Sequence, residues 1–276
     1  GIDENVELYK NWNGAGDGRF KVMMGPHAPY TCPPDYIRKV RDVAEKYDMP
    51  IHIHLSETKG EVENCEKEYH MTPIALMDSL GLFERPTLAA HCVHVTDEDI
   101  RIMKEKHVCA AHNPASNLKL ASGIAPVPKM RKAGITVGIG TDGASSNNKL
   151  DMFAEMRLTA LIHKAANYDP FAITAKEAVD MATKDGAKCL GYDNLGELKE
   201  GFLADIILVD RTGFHWKPRF DSVSLAVYAG NSMDVDTVII NGRPVMEHKE
   251  LLTIDTEKMD AEVKRVTEKL YAFTKK

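Results

Sequence analysis

Short apolar runs that end in polar residues alternate with amphipathic stretches between residues 20 and 190. The runs are rich in β-branched or small apolar residues, which is typical of strands buried on both faces of a sheet. Alternation of such strands with helices predicts an α/β fold around a parallel sheet with right-handed crossovers. Five runs are visible: FKVMMG (20–25), PIHIHL (50–55), TLAAHC (87–92), VCAAHN (108–113) and ITVGIGTD (135–142).

The stretches between the runs carry helical patterns. Residues 34–47 have apolar side chains at helical spacing, and residues 150–165 carry a broad apolar stripe. Both patterns predict helices that bury one face. Thr174 and Glu177 form a capping-box pattern, which predicts a helix that Gly191 ends.

The pattern changes near residue 192, where we predict a boundary between two domains, 1–192 and 193–276. Beyond it, LGELKEGFLADIILVD (195–210) and TVIINGRPVM (237–246) indicate strand pairs. The second of these contains Asn-Gly, which is a hairpin signal. Apolar residues at i, i+4 and i+7 spacing over 256–274 predict a C-terminal helix.

Composition and charge argue against several classes of partner. The 276 residues suffice for one large α/β domain or a domain with a smaller appendage. A net charge of −6 argues against a nucleic-acid partner. No apolar stretch reaches the roughly 20 residues that span a bilayer, and the polar start GIDENVELYK is unlike a signal peptide. The five cysteines show no CxxC spacing, so we expect free thiols and a cytoplasmic protein.

Chemically capable residues stand at the carboxyl ends of the predicted strands. They are His27, His54 with Glu57, His91, His112 with Asn113, and Asp142. In a parallel barrel these ends converge on one face, which carries the chemistry. Histidine and aspartate suit a zinc-like ion, and such an ion lowers the pKa of bound water. A nearby carboxylate such as Glu57 can shuttle a proton, and His91 can stabilise developing negative charge. The pattern predicts a metal-centred or acid/base site.

Several of these segments together resemble the amidohydrolase superfamily. IHIHLSE (51–57), AAHC (89–92) and GTDG (140–143) are similar to its fifth-, sixth- and eighth-strand motifs, in that order. Three longer segments resemble the methylthioadenosine/S-adenosylhomocysteine deaminase branch: GPHAPYT (25–31), HNPASNLKLASGIAPV (112–127) and GTDGASSNNKLDMFAEMR (140–157). The resemblance covers nearly the whole chain. It implies a partial (β/α)8 TIM barrel, about strands 4–8, with a small β-sandwich segment and the C-terminal helix.

The resemblance also implies an activity, namely zinc-dependent hydrolytic deamination of 5′-methylthioadenosine or S-adenosylhomocysteine. His54 and Asp142 would be ligands of a single zinc, and Asp142 would accept a proton from the attacking water. Glu57 would protonate the purine ring nitrogen, and His91 would contact the hydroxide on the zinc. His27, Glu57 and Asp142 would contact the nucleoside. Iron or manganese would suit a similar site of nitrogen and oxygen ligands.

One part of the family pattern is absent from this chain. A zinc site of this family begins with another HxH at the end of the first strand, and the only HxH here is His52 and His54. His52 matches no ligand, and we expect its side chain to point away from that of His54 and to be structural. Five strands also fall short of the eight that close a barrel. The chain therefore looks like the C-terminal two-thirds of a longer enzyme, and a missing N-terminal segment or a homo-oligomer is expected to complete the site.

Two other functions stay open at this point. The same site would suit another heterocycle, such as guanine or a triazine. Alternatively, the chain is an inactive fragment or scaffold that only pairs with a partner. Among the other polar residues, His94, His112, Asn113, Ser116 and Asn117 are expected to build loops that support the site. Five histidines are expected at the surface: His70, His107, His163, His215 and His248.

Overall fold

The computed structural model describes residues 1–274. Its helices are α1 (Ile2–Trp12), α2 (Pro34–Tyr47), α3 (Lys59–Tyr69), α4 (Pro73–Ser79), α5 (Asp97–Glu105), α6 (Pro114–Lys119), α7 (Val127–Lys132), α8 (Met152–Asn167), α9 (Ala175–Ala182), α10 (Lys184–Cys189), α11 (Ser222–Tyr228) and α12 (Thr256–Thr274). Its strands are β1 (Ile51–Leu55), β2 (Thr87–His91), β3 (Cys109–His112), β4 (Val137–Ile139), β5 (Ile206–Val209), β6 (Val235–Ile240), β7 (Arg243–Glu247) and β8 (Glu250–Leu251).

The first four strands form a parallel sheet in the order β1-β2-β3-β4. These strands confirm four of the five runs predicted from the sequence. The prediction of a strand at 20–25 was wrong, because this segment joins the sheet only through one parallel bridge from Met24 to Ile51. The Met24 amide donates to the Pro50 carbonyl, and the His52 amide donates to the Met24 carbonyl. Pro26 follows and has no amide hydrogen to continue such a ladder.

The two faces of the parallel sheet have different surroundings. Ile51, Ile53 and Leu55 are at most 1% exposed and join a core that also contains apolar residues of α2–α5 and α7–α9. His52 and His54 belong to the opposite face, which lines a cavity of about 280 Å³. Since side chains two residues apart share a face of a strand, one face of β1 is core and the other carries histidines.

The helix predicted from Thr174 to Gly191 is divided into α9 and α10 at Thr183, whose φ is −124° and ψ is −95°. The capping box itself is confirmed, since the Thr174 side chain accepts from the Glu177 amide and the Glu177 side chain accepts from the Thr174 amide. The break lets α10 lie close to β4. A Cβ added to Gly138 would lie only 3.0 Å from the Cα of Gly186, so the approach needs glycine.

The later strands form a separate antiparallel sheet in the order β5-β6-β7-β8. Asn241 and Gly242 connect β6 to β7 with φ values of 48° and 75°, as expected for the two central residues of a type I′ hairpin turn. Helix α12 confirms the predicted C-terminal helix. In residues 1–274 we find no helix with the length and apolar character needed to cross a membrane.

Candidate active site at the carboxyl ends of the parallel strands

His54 is placed by β1 and oriented by the chain that follows Met24. Both its amide and its Nδ1 atom lie within hydrogen-bond distance of the His27 carbonyl oxygen, at 3.1 Å and 2.6 Å. A carbonyl only accepts, so His54 Nδ1 carries the hydrogen and donates it. The Nε2 atom of the neutral ring then keeps its lone pair. This is the arrangement in which a histidine can ligate a metal.

His52 lies on the same face of β1 as His54. The two ring centroids are 6.5 Å apart with an interplanar angle of 29°, and both residues line the 280 Å³ cavity. The expectation that the His52 side chain points away from His54 was therefore wrong. Alternation along a strand separates residues i and i+1, whereas residues i and i+2 share a face.

His91 is turned into the site by an unusual backbone conformation. It ends β2 with a φ of 73°, in the left-handed region that few residues other than glycine adopt. Its ring is buried and stacks on the His54 ring, with centroids 5.4 Å apart and an interplanar angle of 19°. Strained backbone of this kind persists where the surroundings hold it, and it is concentrated at functional sites.

Two polar side chains contact the two nitrogens of His91. Nδ1 lies 2.8 Å from Oδ1 of Asn117, and Nε2 lies 3.7 Å from Oε2 of Glu57. Glu57 is mostly buried, and its Oε1 lies 3.5 Å from the Ser122 hydroxyl. His54, His91 and Glu57 therefore lie next to one another, as the motif spacing predicts.

The turn that carries Glu57 is held by a second carboxylate, Glu61. Its two oxygens accept from the amides of Ser56 and Glu57 at 2.8 Å each. Burial raises the pKa of Glu61, although these hydrogen bonds and the Thr58 backbone act to lower it. Our reading of the sequence missed Glu61. The available signal was the T-x-x-E pattern that begins at Thr58, which marks a helix start.

Asp142 stands just beyond β4, also with a left-handed φ of 60°. Its Oδ2 accepts from the hydroxyls of Ser116 at 2.5 Å and Ser146 at 2.8 Å, and its Oδ1 accepts from the Gly143 amide at 2.7 Å. Burial acts to raise the pKa of Asp142, but these three hydrogen bonds outweigh it and hold the pKa below its usual value. Asp142 is therefore an ionised carboxylate at neutral pH.

The structure brings most of the predicted site residues together. Asp142, His54 and His91 line one cavity, together with His52 and Asn113. The exposed His27 lies beside them, with its ring centroid 5.0 Å from that of His54 and its Nδ1 2.7 Å from the Thr31 hydroxyl. Within residues 1–274, however, no three His, Cys, Asp or Glu residues are placed to hold one metal ion.

The segment after β3 contacts all three candidate catalytic groups. Asn117 contacts His91, Ser116 contacts Asp142, and Ser122 approaches Glu57. The Nε2–H of His94 donates to the Ser122 carbonyl at 2.7 Å. The sequence predicted supporting loops for Ser116, Asn117 and His94. That prediction was wrong for Ser116 and Asn117, which lie in α6, and the sequence could not name the partners of any of the three.

His112 and His163 form a second histidine pair, outside the cavity. Their Nε2 atoms are 3.2 Å apart and both residues are at most 1% exposed. The prediction that His163 is a surface residue was wrong, because α8 turns this side chain onto β3. Burial lowers the pKa of His163 to about 4 and holds the pKa of His112 well below its usual value.

A parallel sheet with polar groups at its carboxyl edge is the arrangement typical of an α/β enzyme site, and comparison with known proteins gives the family. The chain belongs to the Amidohydrolase family, whose sequence profile matches residues 2–245. It is 54% identical over 264 residues to the 5-methylthioadenosine/S-adenosylhomocysteine deaminase of Dictyoglomus thermophilum. It is 51% identical over 264 residues to the corresponding deaminase of Pelotomaculum thermopropionicum.

Each of these alignments covers 96% of the chain, but only 62% and 61% of the relative's own length. The chain thus spans about three fifths of the curated relatives that it matches. Among solved structures, it resembles an adenosine deaminase from Xanthomonas campestris with bound zinc, with a TM-score of 0.94 and 34% identity over 98% of this chain and 62% of that one. It also resembles a zinc complex of atrazine chlorohydrolase from Arthrobacter aurescens, with a TM-score of 0.89 and 28% identity over 96% of this chain and 59% of that one.

Proposed function

We propose that this chain carries the catalytic carboxylates and one metal-binding histidine of a hydrolytic deaminase for adenine nucleosides with a 5′-thioether. The substrates would be 5′-methylthioadenosine and S-adenosylhomocysteine. The observation that carries the proposal is the meeting of His54, His91, Glu57 and Asp142 at the carboxyl edge of one parallel sheet. The names of the relatives at 54% and 51% identity support the substrate class.

The donor chemistry of the cavity fits part of a zinc site. His54 has a lone pair at Nε2, and Asp142 is an ionised carboxylate whose hydrogen bonds orient it. Both would hold the metal, with zinc favoured and iron or manganese as alternatives. A bound ion of this kind supplies a water molecule of lowered pKa at neutral pH. Two ligands are fewer than a catalytic zinc site needs, so the remaining ones would come from a further segment or a second chain.

The residues of this chain would divide the proton transfers between them. Asp142 is ionised and would accept a proton from the attacking water. Glu57 would deliver a proton to the ring nitrogen beside the carbon that loses ammonia. His91 would accept a hydrogen bond from the attacking water and orient it, because its ring lies beside Glu57 and stacks on His54. His27 would contact the nucleoside at the mouth of the cavity.

The architecture proposed for residues 1–192 is the C-terminal part of an amidohydrolase barrel, corresponding to about strands 4–8. Residues 193–276 would then be β-sandwich strands and a C-terminal helix. Free cysteines at all five positions are compatible with the cytoplasmic location that we propose.

The first experiment is the zinc content of the purified 276-residue chain, with His54→Ala and the exposed His107→Ala as a matched pair. About one zinc per chain that is lost in His54→Ala and kept in His107→Ala would support the metal site. Deamination of 5′-methylthioadenosine should then be assayed on the same preparation and on a mixture with a separately made N-terminal part of a relative. Zinc in neither preparation, together with no deamination, would contradict the proposal and favour an inactive scaffold.

A second candidate function is hydrolysis of another heterocycle. The likeness to atrazine chlorohydrolase, with a TM-score of 0.89, favours it. A panel containing 5′-methylthioadenosine, S-adenosylhomocysteine, adenosine, guanine and a chlorotriazine separates the candidates. Faster turnover of guanine or the triazine than of both thioether nucleosides would replace the first function by the second.

A further inference from the structure

We propose that Asn117 is a positioning residue that holds the His91 ring in the tautomer with hydrogen on Nδ1 and directs its bare Nε2 toward Glu57. That this arrangement serves deamination rests on the proposed function. The tautomer itself does not, since it follows from contacts within the chain. None of the sequence motifs assigned a partner to either side chain.

Asn117 is held in place by its own backbone. It lies in α6, where its amide donates to the Asn113 carbonyl at 3.0 Å. Its carbonyl accepts from the Ser122 amide at 2.8 Å, and the residue is 1% exposed. Because this backbone is fixed and buried, the Asn117 side chain has little freedom to move. It can therefore fix the position of the His91 ring.

The contact determines which nitrogen of His91 carries the hydrogen. Asn117 Oδ1 lies 2.8 Å from His91 Nδ1, and an amide oxygen only accepts. Nδ1 is therefore the donor, and Nε2 of the neutral ring has a lone pair. That lone pair faces the Glu57 carboxyl at 3.7 Å, which is longer than a direct hydrogen bond but lets one water oxygen beside them hydrogen-bond to both groups.

His91 needs such a partner because its backbone alone does not fix its ring. His91 is the last residue of β2, its φ is 73°, and the stack on His54 restrains the plane of the ring without selecting a tautomer. The other end of the Asn117 amide, Nδ2, is buried and has no hydrogen-bond partner among the described residues. Rotating the amide by 180° would place a donor against Nδ1 and force the hydrogen onto Nε2. The two arrangements therefore differ in a measurable way.

The decisive experiment is histidine ¹⁵N NMR on the 276-residue chain without added metal, at a pH where free histidine is neutral. His91→Gln identifies the resonances of His91 by their loss. Wild type and Asn117→Asp, which keeps an acceptor, should both show the hydrogen on Nδ1. Asn117→Leu, which has a similar shape but no acceptor, should lose this single tautomer. Asn64→Leu, at an exposed position of α3, is the matched control and should leave His91 unchanged.

Two results would overturn the inference. One is a wild-type chain with the hydrogen on Nε2 of His91. The other is an unchanged tautomer in Asn117→Leu when the unfolding transition shows that the variant is folded. A preparation without zinc and without deamination would contradict the proposed function, while the NMR result would still decide the role of Asn117.

Kinetics give an independent readout in any preparation that deaminates 5′-methylthioadenosine. Asn117→Leu should lower kcat by about 10- to 100-fold, the range found when groups that orient a metal-site residue are removed. KM and bound zinc should stay close to wild type, because Asn117 contacts His91 rather than the substrate. Asn117→Asp should recover most of kcat. A loss that appears in KM or zinc content alone would argue that Asn117 supports the fold rather than His91.

Discussion

Two pairs of histidines lie close to the carboxyl ends of strands in the same parallel sheet, and their surroundings give the two pairs different properties. His54 and His91 have ring centroids 5.4 Å apart and line a cavity. His112 and His163 have centroids 5.0 Å apart and are buried between β3 and α8. The spacing of the rings is nearly equal, so the chemistry of each pair is decided by its hydrogen-bond partners.

Each ring of the first pair has a polar partner at Nδ1, the His27 carbonyl or the Asn117 amide oxygen. Both Nε2 atoms are therefore free to bind a metal, a proton or a substrate. In the second pair the Nε2 atoms contact each other, and both Nδ1 atoms are buried with no partner among the described residues. One Nε2 atom donates and the other accepts. Both Nε2 atoms are therefore occupied by the contact between α8 and the sheet, and neither is available to bind a metal or a substrate.

Among substitutions at the cavity that contains the first pair, we expect the largest loss of activity at Asp142. In the proposed mechanism Asp142 would accept a proton and bind the metal, so Asp142→Asn, which removes the charge, should lower kcat/KM for 5′-methylthioadenosine by about 10²- to 10⁴-fold. Because Asp142 accepts three hydrogen bonds, the unfolding midpoint of the same variant should fall modestly, and the assay is run at a temperature where the variant is folded. Wild-type turnover in Asp142→Asn would remove this carboxylate from the mechanism.

The buried pair should instead make stability depend on pH. Burial lowers the pKa of His163 from 6.5 to about 4, so protons bind the unfolded chain before the folded one. The free energy of unfolding is therefore unaffected by the titration of His163 above pH 6.5 and decreases as the pH falls toward 4. At 1.36 kcal/mol per pKa unit, the loss attributable to His163 is about 3 kcal/mol.

This dependence can be isolated by urea unfolding at several pH values between 7.5 and 4. Glu61 and Glu155, whose pKa values are raised by burial, act in the opposite direction over part of this range. The test is therefore the difference between wild type and His163→Gln. Parallel pH profiles for the two proteins would show that the histidine pair does not titrate as its burial implies.

Removing one histidine of the buried pair should lower the free energy of unfolding by more than the loss of one hydrogen bond alone, because it leaves a buried polar atom without a partner. His163→Leu leaves the Nε2 atom of His112 without a partner, which should lower the free energy of unfolding by about 1–3 kcal/mol. The double variant His112→Leu/His163→Leu should lose less than the sum of the two single variants, because no polar atom is then left alone. Urea unfolding measures all three, with the exposed His107→Leu as control. Additive losses would mean that the two rings do not interact.

A smaller effect is expected where one of several supporting contacts is removed from the first site. Ser116→Ala takes away one of the three hydrogen bonds to Asp142 and should lower kcat about tenfold. Ser145→Ala, a neighbouring exposed serine whose side chain does not contact Asp142, is the matched control. Equal activity in both variants would show that Ser146 and the Gly143 amide orient the carboxylate without help.

Much of the architecture could be predicted because it depends on local patterns. Helix α2 has the bounds that its apolar spacing predicts, 34–47, and the Thr174 capping box begins a helix as expected. The predictions failed where neighbours override local preference. Met24 makes a single bridge at the sheet edge, and Thr183 interrupts a helical pattern so that α10 can approach β4.

The amino-acid sequence predicts which groups stand at the carboxyl ends of β1 to β4, because strand periodicity and motif spacing are properties of neighbouring residues. His54, Glu57, His91 and Asp142 could therefore be named before any contact was known. The orientation of these groups, and the burial of His112 against His163 outside the cavity, depend on how the chain packs. Asn117 contacts His91 although the two residues are 26 positions apart in the sequence, and His163 contacts His112 at a separation of 51 positions. Contacts over such separations depend on how helices pack against the sheet, and no local pattern encodes that packing.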